Sequence, residues 1–451
     1  MPRPAEGLAA AGLAALLAVV PACRAPVPAP SPDSAGGEGV AASLRPDACR
    51  AVAAGTPLQP LLDAAGEGDA FCLEAGDHAG PLRVRRSLTL WGPAEAWIRS
   101  RGVGSTVSLE APGTALLGLS IDGSGGRFDL LDAAVHIRAD DARVEGVRVR
   151  RALFGLLAER SRRITLRHND VGGDPAKPLG LRGDGIRIWE VRDSLIEGNR
   201  LHDSRDLVVW YSSANRILDN TIERGRYGTH FMYSHDNIVE RNRYTANVVG
   251  VFAMYSRGLR LRANVIALSA GAAGIGLGAK ESGALEVVGN HFLANTTGVY
   301  LDTSPFHPGD GNRFEGNEFR FGGTAVVFHG VTDRNHFLGN SFRDNREQVR
   351  TEGRGDARAA EWRRNDFDDY VGYDLDGDGT GDVAYELRSL EGALTARAPS
   401  VAFFRGSAAL GLMELIGKVV PLFRPQIILV DPEPSMVTLK RRVSTEPGDA
   451  G

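Results

Sequence analysis

The chain is short of several features that usually announce a function. Lys and Arg number 52 against 56 acids, a formal charge of −4, so there is no cationic excess. That excludes non-specific nucleic-acid binding, which needs clustered cations facing phosphates. There is no Walker loop, so any ATP hydrolysis must come from a partner. Aromatic residues make up 7% of the chain and glycine reaches 56 residues, a balance that suits tight turns and short elements rather than long helices. The apolar run near the N-terminus, Leu8 to Val20, is 13 residues long. It is too short to span a bilayer, which favours a cleaved signal over a transmembrane helix.

Val20-Pro21-Ala22-Cys23 reads as a lipoprotein cleavage box, predicting a signal peptide over 1–22 and lipidation of Cys23. The plainer alternative is an ordinary signal peptide with Cys23 incidental. Residues 23–45, rich in Pro, Ala, Ser and Gly, read as a flexible tether. Cys49 and Cys72 remain. In an oxidising compartment the pair predicts a disulfide that staples the first turns, worth about 3 kcal/mol. The alternatives are two buried thiols or two copper-binding thiolates.

The dominant pattern is repetition. Asn199, Asn220, Asn242, Asn264, Asn290, Asn317 and Asn340 each precede a short strand, at gaps of 21, 22, 22, 26, 27 and 23 residues, and Asn169 begins the series. A period near 22 with alternating apolar residues predicts an all-β fold, a right-handed parallel β-helix over residues 46–370. One coil cannot bury its apolar side alone, so neighbours stack as parallel strands about 4.8 Å apart. Asn at the corner tolerates a left-handed bend, and its amide can bond the next Asn along the stack.

Strand alternation sorts the faces. Ile186 and Ile188, Leu207 and Val209, Thr229 and Phe231, and Val251 and Ala253 point inward. Trp189, Trp210, His230 with Met232, and Met254 point outward, and are expected to stack in solvent. His235 follows at the adjoining turn, and Tyr211, Tyr233 and Tyr255 lie beside the row. Methionine occurs only five times in the chain, so two side by side call for a reason. Two readings fit. Trp189, Trp210, Tyr233 and Tyr255 form a face covered by a loop or partner. Alternatively His230, Met232, His235 and Met254 form a soft site, since thioether sulfur and imidazole nitrogen suit Cu(I), with the indoles covering the ion by cation–π contact.

A carbohydrate-active lyase or epimerase is the rival reading. Asp184, Asp203, Asp206, Asp219 and Asp236 are available as acids, but most fall at turns and no outward carboxylate row recurs. No catalytic residue is assigned, and the chain is read as a binder.

RGDGIRIW, RDLVVWYSSANRI, RGRYGTHFMYSHDNIVERN, GVFAMYSRGLRLRAN, GVYLDTSP and the C-terminal LFRPQIILVDPEPSM resemble the NosD family of nitrous oxide reductase maturation proteins, over about residues 49 to 440. The resemblance implies a periplasmic subunit docked on an ABC transporter permease and its ATPase. It implies a copper chaperone as a further partner and nitrous oxide reductase as the client. It adds weight to copper at His230, Met232, His235 and Met254, although a metal-free adaptor fits the same residues. The segment GIGLGAKES departs from the pattern in having no Met, which limits the site to the coils before it.

Beyond the repeat, residues 371–386 resemble a calcium loop. Asp374, Asp376, Asp378 and Asp382 stand at the first, third, fifth and ninth places, but Tyr385 replaces the bidentate Glu at the twelfth. The alternative is a Gly/Asp turn without an ion. The tail, 387–451, carries a helical stripe at 409, 412, 413, 416, 419 and 420. Arg405, Glu414 and Lys418 argue against a bilayer span. The stripe predicts a helix that caps the solenoid or docks on the membrane partner.

Overall fold

The computed structural model describes residues 43–330, 333–389, 399–404, 407–409, 412–413 and 425–437. The expected leader, Cys23, the tether up to residue 42 and most of the 401–423 stripe lie outside the described residues.

The repeat folds as a parallel β-solenoid. One coil is typified by Arg216–Leu218, Thr221–Glu223 and Tyr227–Met232, three short strands joined by bends. Such strands are marginal alone, so each pairs with its equivalents in the coils above and below. Among the described residues this gives three parallel sheets of 14, 12 and 13 strands. Inward residues stack in register along the axis: Ile196, Ile217, Val239, Leu261, Val287, Phe314 and Phe337 are consecutive partners, and all are 0% exposed.

The corners obey a rule that differs in one respect from the sequence expectation. Each ladder Asn is buried, and its Nδ2 donates to the Oδ1 of the next. The run from Asn169 through Asn199, Asn220, Asn242, Asn264, Asn290, Asn317 and Asn340 to Asn365 has distances of 2.9–3.0 Å. The left-handed bend, however, falls on the residue before each Asn. His168, Asp219, Arg241, Ala263 and Arg364 have φ of 52–55°, and Gly198, Gly289, Gly316 and Gly339 fill the equivalent place. Asn is therefore used for its amide and its neighbour takes the strain. A second ladder escaped the sequence reading. Ser212, Ser234, Ser256 and Ser282 follow the site strands, and each backbone N–H donates to the next hydroxyl at 3.1 Å.

Both ends are closed, as an open solenoid must be to avoid unpaired strand edges. At the N-terminal end a short helix, α1 (Leu58–Ala64), buries Leu58 and Leu62, and Cys49 is disulfide-bonded to Cys72. At the other end Tyr385–Ser389 pairs antiparallel with Gln426–Asp431. Tyr385 extends the stack Phe292–Phe319–Phe342–Phe367, and Asp431 takes the place of the next ladder Asn, accepting from both N and Nδ2 of Asn365 at 3.0 and 2.9 Å. Residues 426–431, which the sequence assigned to a docking tail, are thus part of the solenoid's cap.

Candidate metal centre

The 12-stranded sheet carries the site through Ile186–Trp189, Asp206–Trp210, Tyr227–Met232, Val249–Met254 and Ile275–Lys280. Thr229, Phe231, Val251 and Ala253 are fully buried inside the solenoid, which turns their neighbours outward. Two outer columns result. In one, Trp189, Trp210, Met232, Met254 and Lys280 are successive register partners; in the other, Arg187, Val208, His230, Phe252 and Gly278.

The expectation that the row stands in solvent needs correcting. The two Trp and two Met side chains are half-buried, and His230 is only 6% exposed. Aromatic rings enclose the imidazole. Tyr227 lies 4.7 Å away, Trp210 meets it edge-on at 5.6 Å and Phe252 at 6.5 Å. Phe252 can lie flat because its neighbour is Gly278, where a Cβ would come within 2.3 Å of the ring. Strict alternation hid Tyr227, which should share the inward side with Thr229 and Phe231. A register irregularity between Asp206 and Val208 brings it onto the outer face with His230.

His230 Nε2 lies 3.4 Å from Met254 Sδ, and Met232 is Met254's partner on the adjoining strand. Burial pushes the His230 imidazole down to about 4; Asp206 partly offsets this, while Arg226 and Arg205 add to it. At neutral pH the ring is therefore uncharged and keeps one lone pair for a metal. His230 Nε2 and Met254 Sδ would be the pair that holds a soft ion, with Met232 beside them.

The structure separates His235 from this group. It lies on the exposed corner, beyond the left-handed Tyr233 and the inward Ser234, and its Nδ1 accepts from the Arg257 N–H at 3.1 Å. No contact among the described residues joins it to His230, Met232 or Met254. The cation over the indoles is a guanidinium: Arg187 lies 4.7 Å from Trp210 and 5.3 Å from Trp189. Beside the row, Tyr211, Tyr233 and Tyr255 stack nearly parallel at 5.3 and 4.8 Å.

Four of the five acids of the enzyme reading are held by arginines. Asp184 pairs with Arg205 and Arg187, Asp203 with Arg224, Asp206 with Arg226 and Asp219 with Arg241. Burial pushes Asp184 up to about 6, the flanking Arg205 and Arg187 resisting and Asp206 reinforcing the rise. Asp236 lies on the exposed corner at a left-handed bend. In the acidic loop, Asp374, Asp376 and Asp378 bring ligand oxygens within 4.8 Å of one another. Asp382 is not in that group; its carboxylate accepts from the Leu375 N–H at 2.6 Å. Tyr385, at the twelfth place, is buried on Phe367 and cannot serve as a ligand there.

The fold and the face together define a parallel β-solenoid that gathers a neutral imidazole and two thioethers on one outer side. The model of the family described as periplasmic copper-binding protein (NosD) matches residues 158–371, which contain all of these donors. A Pseudomonas aeruginosa protein named "Probable ABC transporter binding protein NosD" is 30% identical over 394 residues, covering 83% of this chain and 90% of the relative. A Stutzerimonas stutzeri protein of the same name is 26% identical, covering 82% and 86%. The chain belongs to the NosD family. Among solved structures, the mannuronan C-5 epimerase AlgE6 A-module of Azotobacter vinelandii aligns with TM-score 0.56 at 15% identity, covering 69% of this chain and 94% of that one. The catalytic domain of a GH87 α-1,3-glucanase aligns with TM-score 0.51 at 13% identity, covering 70% of each. Identities this low show a shared fold alone.

Proposed function

We propose that the chain is a periplasmic accessory protein that binds Cu(I) through His230 Nε2, Met254 Sδ and Met232 Sδ. It passes the ion toward the copper centre of nitrous oxide reductase while docked on an ABC transporter. The observation that carries this reading is the 3.4 Å approach of a neutral, buried imidazole nitrogen to a thioether, with a second thioether in register beside it. Neutral soft donors favour a monovalent d10 ion over hard divalent cations. The half-buried sulfurs leave room for a chaperone to exchange ligands with the site. Copper agrees with the description of the family, and the transporter with the names of the relatives.

The chain acts as a binder rather than an enzyme, a reading supported by the arginine partners of Asp184, Asp203, Asp206 and Asp219. The stacked tyrosines, with Tyr211 and Tyr233 44% and 42% exposed, form the face offered to a protein partner. Lipidation of Cys23 would hold the solenoid at the membrane. A hard cation such as calcium, if bound, belongs at Asp374, Asp376 and Asp378.

The test is a Cu(I) competition titration of the full chain and of His230→Ala, Met232→Ala and Met254→Ala. One tight site in the parent, weakened in all three variants and unmoved in His235→Ala, is expected. Equal affinity in parent and variants removes the assignment.

A further inference from the structure

Two buried donors on neighbouring coils lack adequate acceptors, and a buried imidazole nitrogen beside them has no partner. Arg187 is 9% exposed, and its one ion pair among the described residues is with Asp184 at 3.5 Å. Asp184 itself bonds Arg205 more closely, at 2.8 Å. The indole Nε1 of Trp210 and Nδ1 of His230 are both buried without a hydrogen-bond partner. These groups adjoin. The Arg187 guanidinium lies 4.7 Å from the Trp210 ring, the Trp210 and His230 rings are 5.6 Å apart, and Arg187, Val208 and His230 are successive register partners.

The charge count points the same way. Arg187, Arg205 and Arg226 face Asp184 and Asp206, and Glu159, which also attracts Arg187, is ion-paired with Arg138 and bonded to His136, so one guanidinium is left over. A largely buried cation beside an orphaned N–H is unfavourable unless something accepts from them.

We propose that a small monovalent anion of halide size binds between the Arg187 guanidinium and the Trp210 indole N–H, beside the His230 ring. The copper reading adds to the site in one respect: when a metal takes Nε2, the imidazole proton resides on Nδ1 and becomes a third donor. A metal-ligating imidazole ordinarily donates that proton to a second acceptor, which fixes the tautomer and strengthens the ligand. No described residue accepts it here. The anion takes that role and offsets the charge of the monovalent cargo. The copper centre is then a site for an ion pair.

The test uses copper-free, full-length protein, so it does not depend on metal binding. Crystals soaked in bromide should show an anomalous peak within hydrogen-bond reach of Trp210 Nε1 and Arg187. Chloride NMR line broadening in solution should titrate to saturation. Trp210→Phe keeps the ring and removes the donor, and should weaken chloride about tenfold. Arg187→Met should abolish the saturable component. If Arg187→Met does not fold, Trp210→Phe alone decides. Bromide found only elsewhere, or broadening unchanged in the variants, overturns the proposal. Saturable chloride binding in a protein that takes up no Cu(I) supports the anion site and defeats the copper reading instead.

Discussion

Between Met254 and Lys280 the outer row of the site sheet changes character within one coil. Upstream, Trp189, Trp210, Met232 and Met254 are neutral and half-buried. Downstream, in the same register column, stand Lys280, Asp302, His329 and Glu352. There Lys280 Nζ is 3.4 Å from Asp302, and Asp302 is 3.1 Å from His329 Nδ1. The backbone is the same parallel ladder on both sides, so backbone geometry alone does not set the proposed site apart. A charged ladder uses its lone pairs on its own neighbours. A neutral ladder keeps them available, and it can be buried without the cost of stripping water from ions.

The contrast breaks most visibly at the donors. His230→Ala combined with Met254→Ala should lower Cu(I) affinity on the order of 100-fold, while His329→Ala, on the charged side, should leave it unmoved. Competition titration reads both, and a loss in His329→Ala would mean that the charged half also binds the ion. Next comes the junction. Gly278→Ala places a methyl against the Phe252 ring and should destabilise the solenoid by about 1–3 kcal/mol in denaturant unfolding. An unchanged midpoint would show that Phe252 is not pinned.

A smaller effect is expected from extending the neutral row. Lys280→Met removes a cation next to Met254 and adds a thioether, and should tighten Cu(I) by about 1 kcal/mol, roughly fivefold. Weaker binding would show that Lys280 helps the site. Smallest is the acid response of an ionic corner. Arg224 holds Asp203 at about 2, with His202 assisting, below the ordinary 3.8. Its contribution is therefore complete above about pH 4 and is lost as the pH falls through 2. Arg224 is 46% exposed, so the contribution is under about 1 kcal/mol. Unfolding of Arg224→Met should show a gap from the parent at pH 7 that closes near pH 2, and a constant gap would assign the effect to packing.

Much of the arrangement was legible because a solenoid turns sequence spacing into distance. The Asn series and the inward alternation followed from the period, and so did the pairing of Met232 with Met254. Tyr227 was hidden by a break in alternation. Alternation puts Arg187 outward like many arginines, and only the fold sets its guanidinium over Trp210. His235 is close to Met232 in sequence, but the corner after Tyr233 turns it away. Asp431 lies 66 residues beyond Asn365, outside any repeat, and only long-range folding joins the two.

The sequence alone therefore determined the coil, its faces and which side chains become neighbours, because a period near 22 leaves a chain of short amphipathic strands little choice but to stack. Tertiary structure decided how deeply His230 is buried, that its Nε2 meets Met254, which corner residues are excluded and how the open end is closed. Those outcomes depend on ring packing, a register irregularity and a segment returning from far along the chain, and none of these leaves a periodic mark on the sequence.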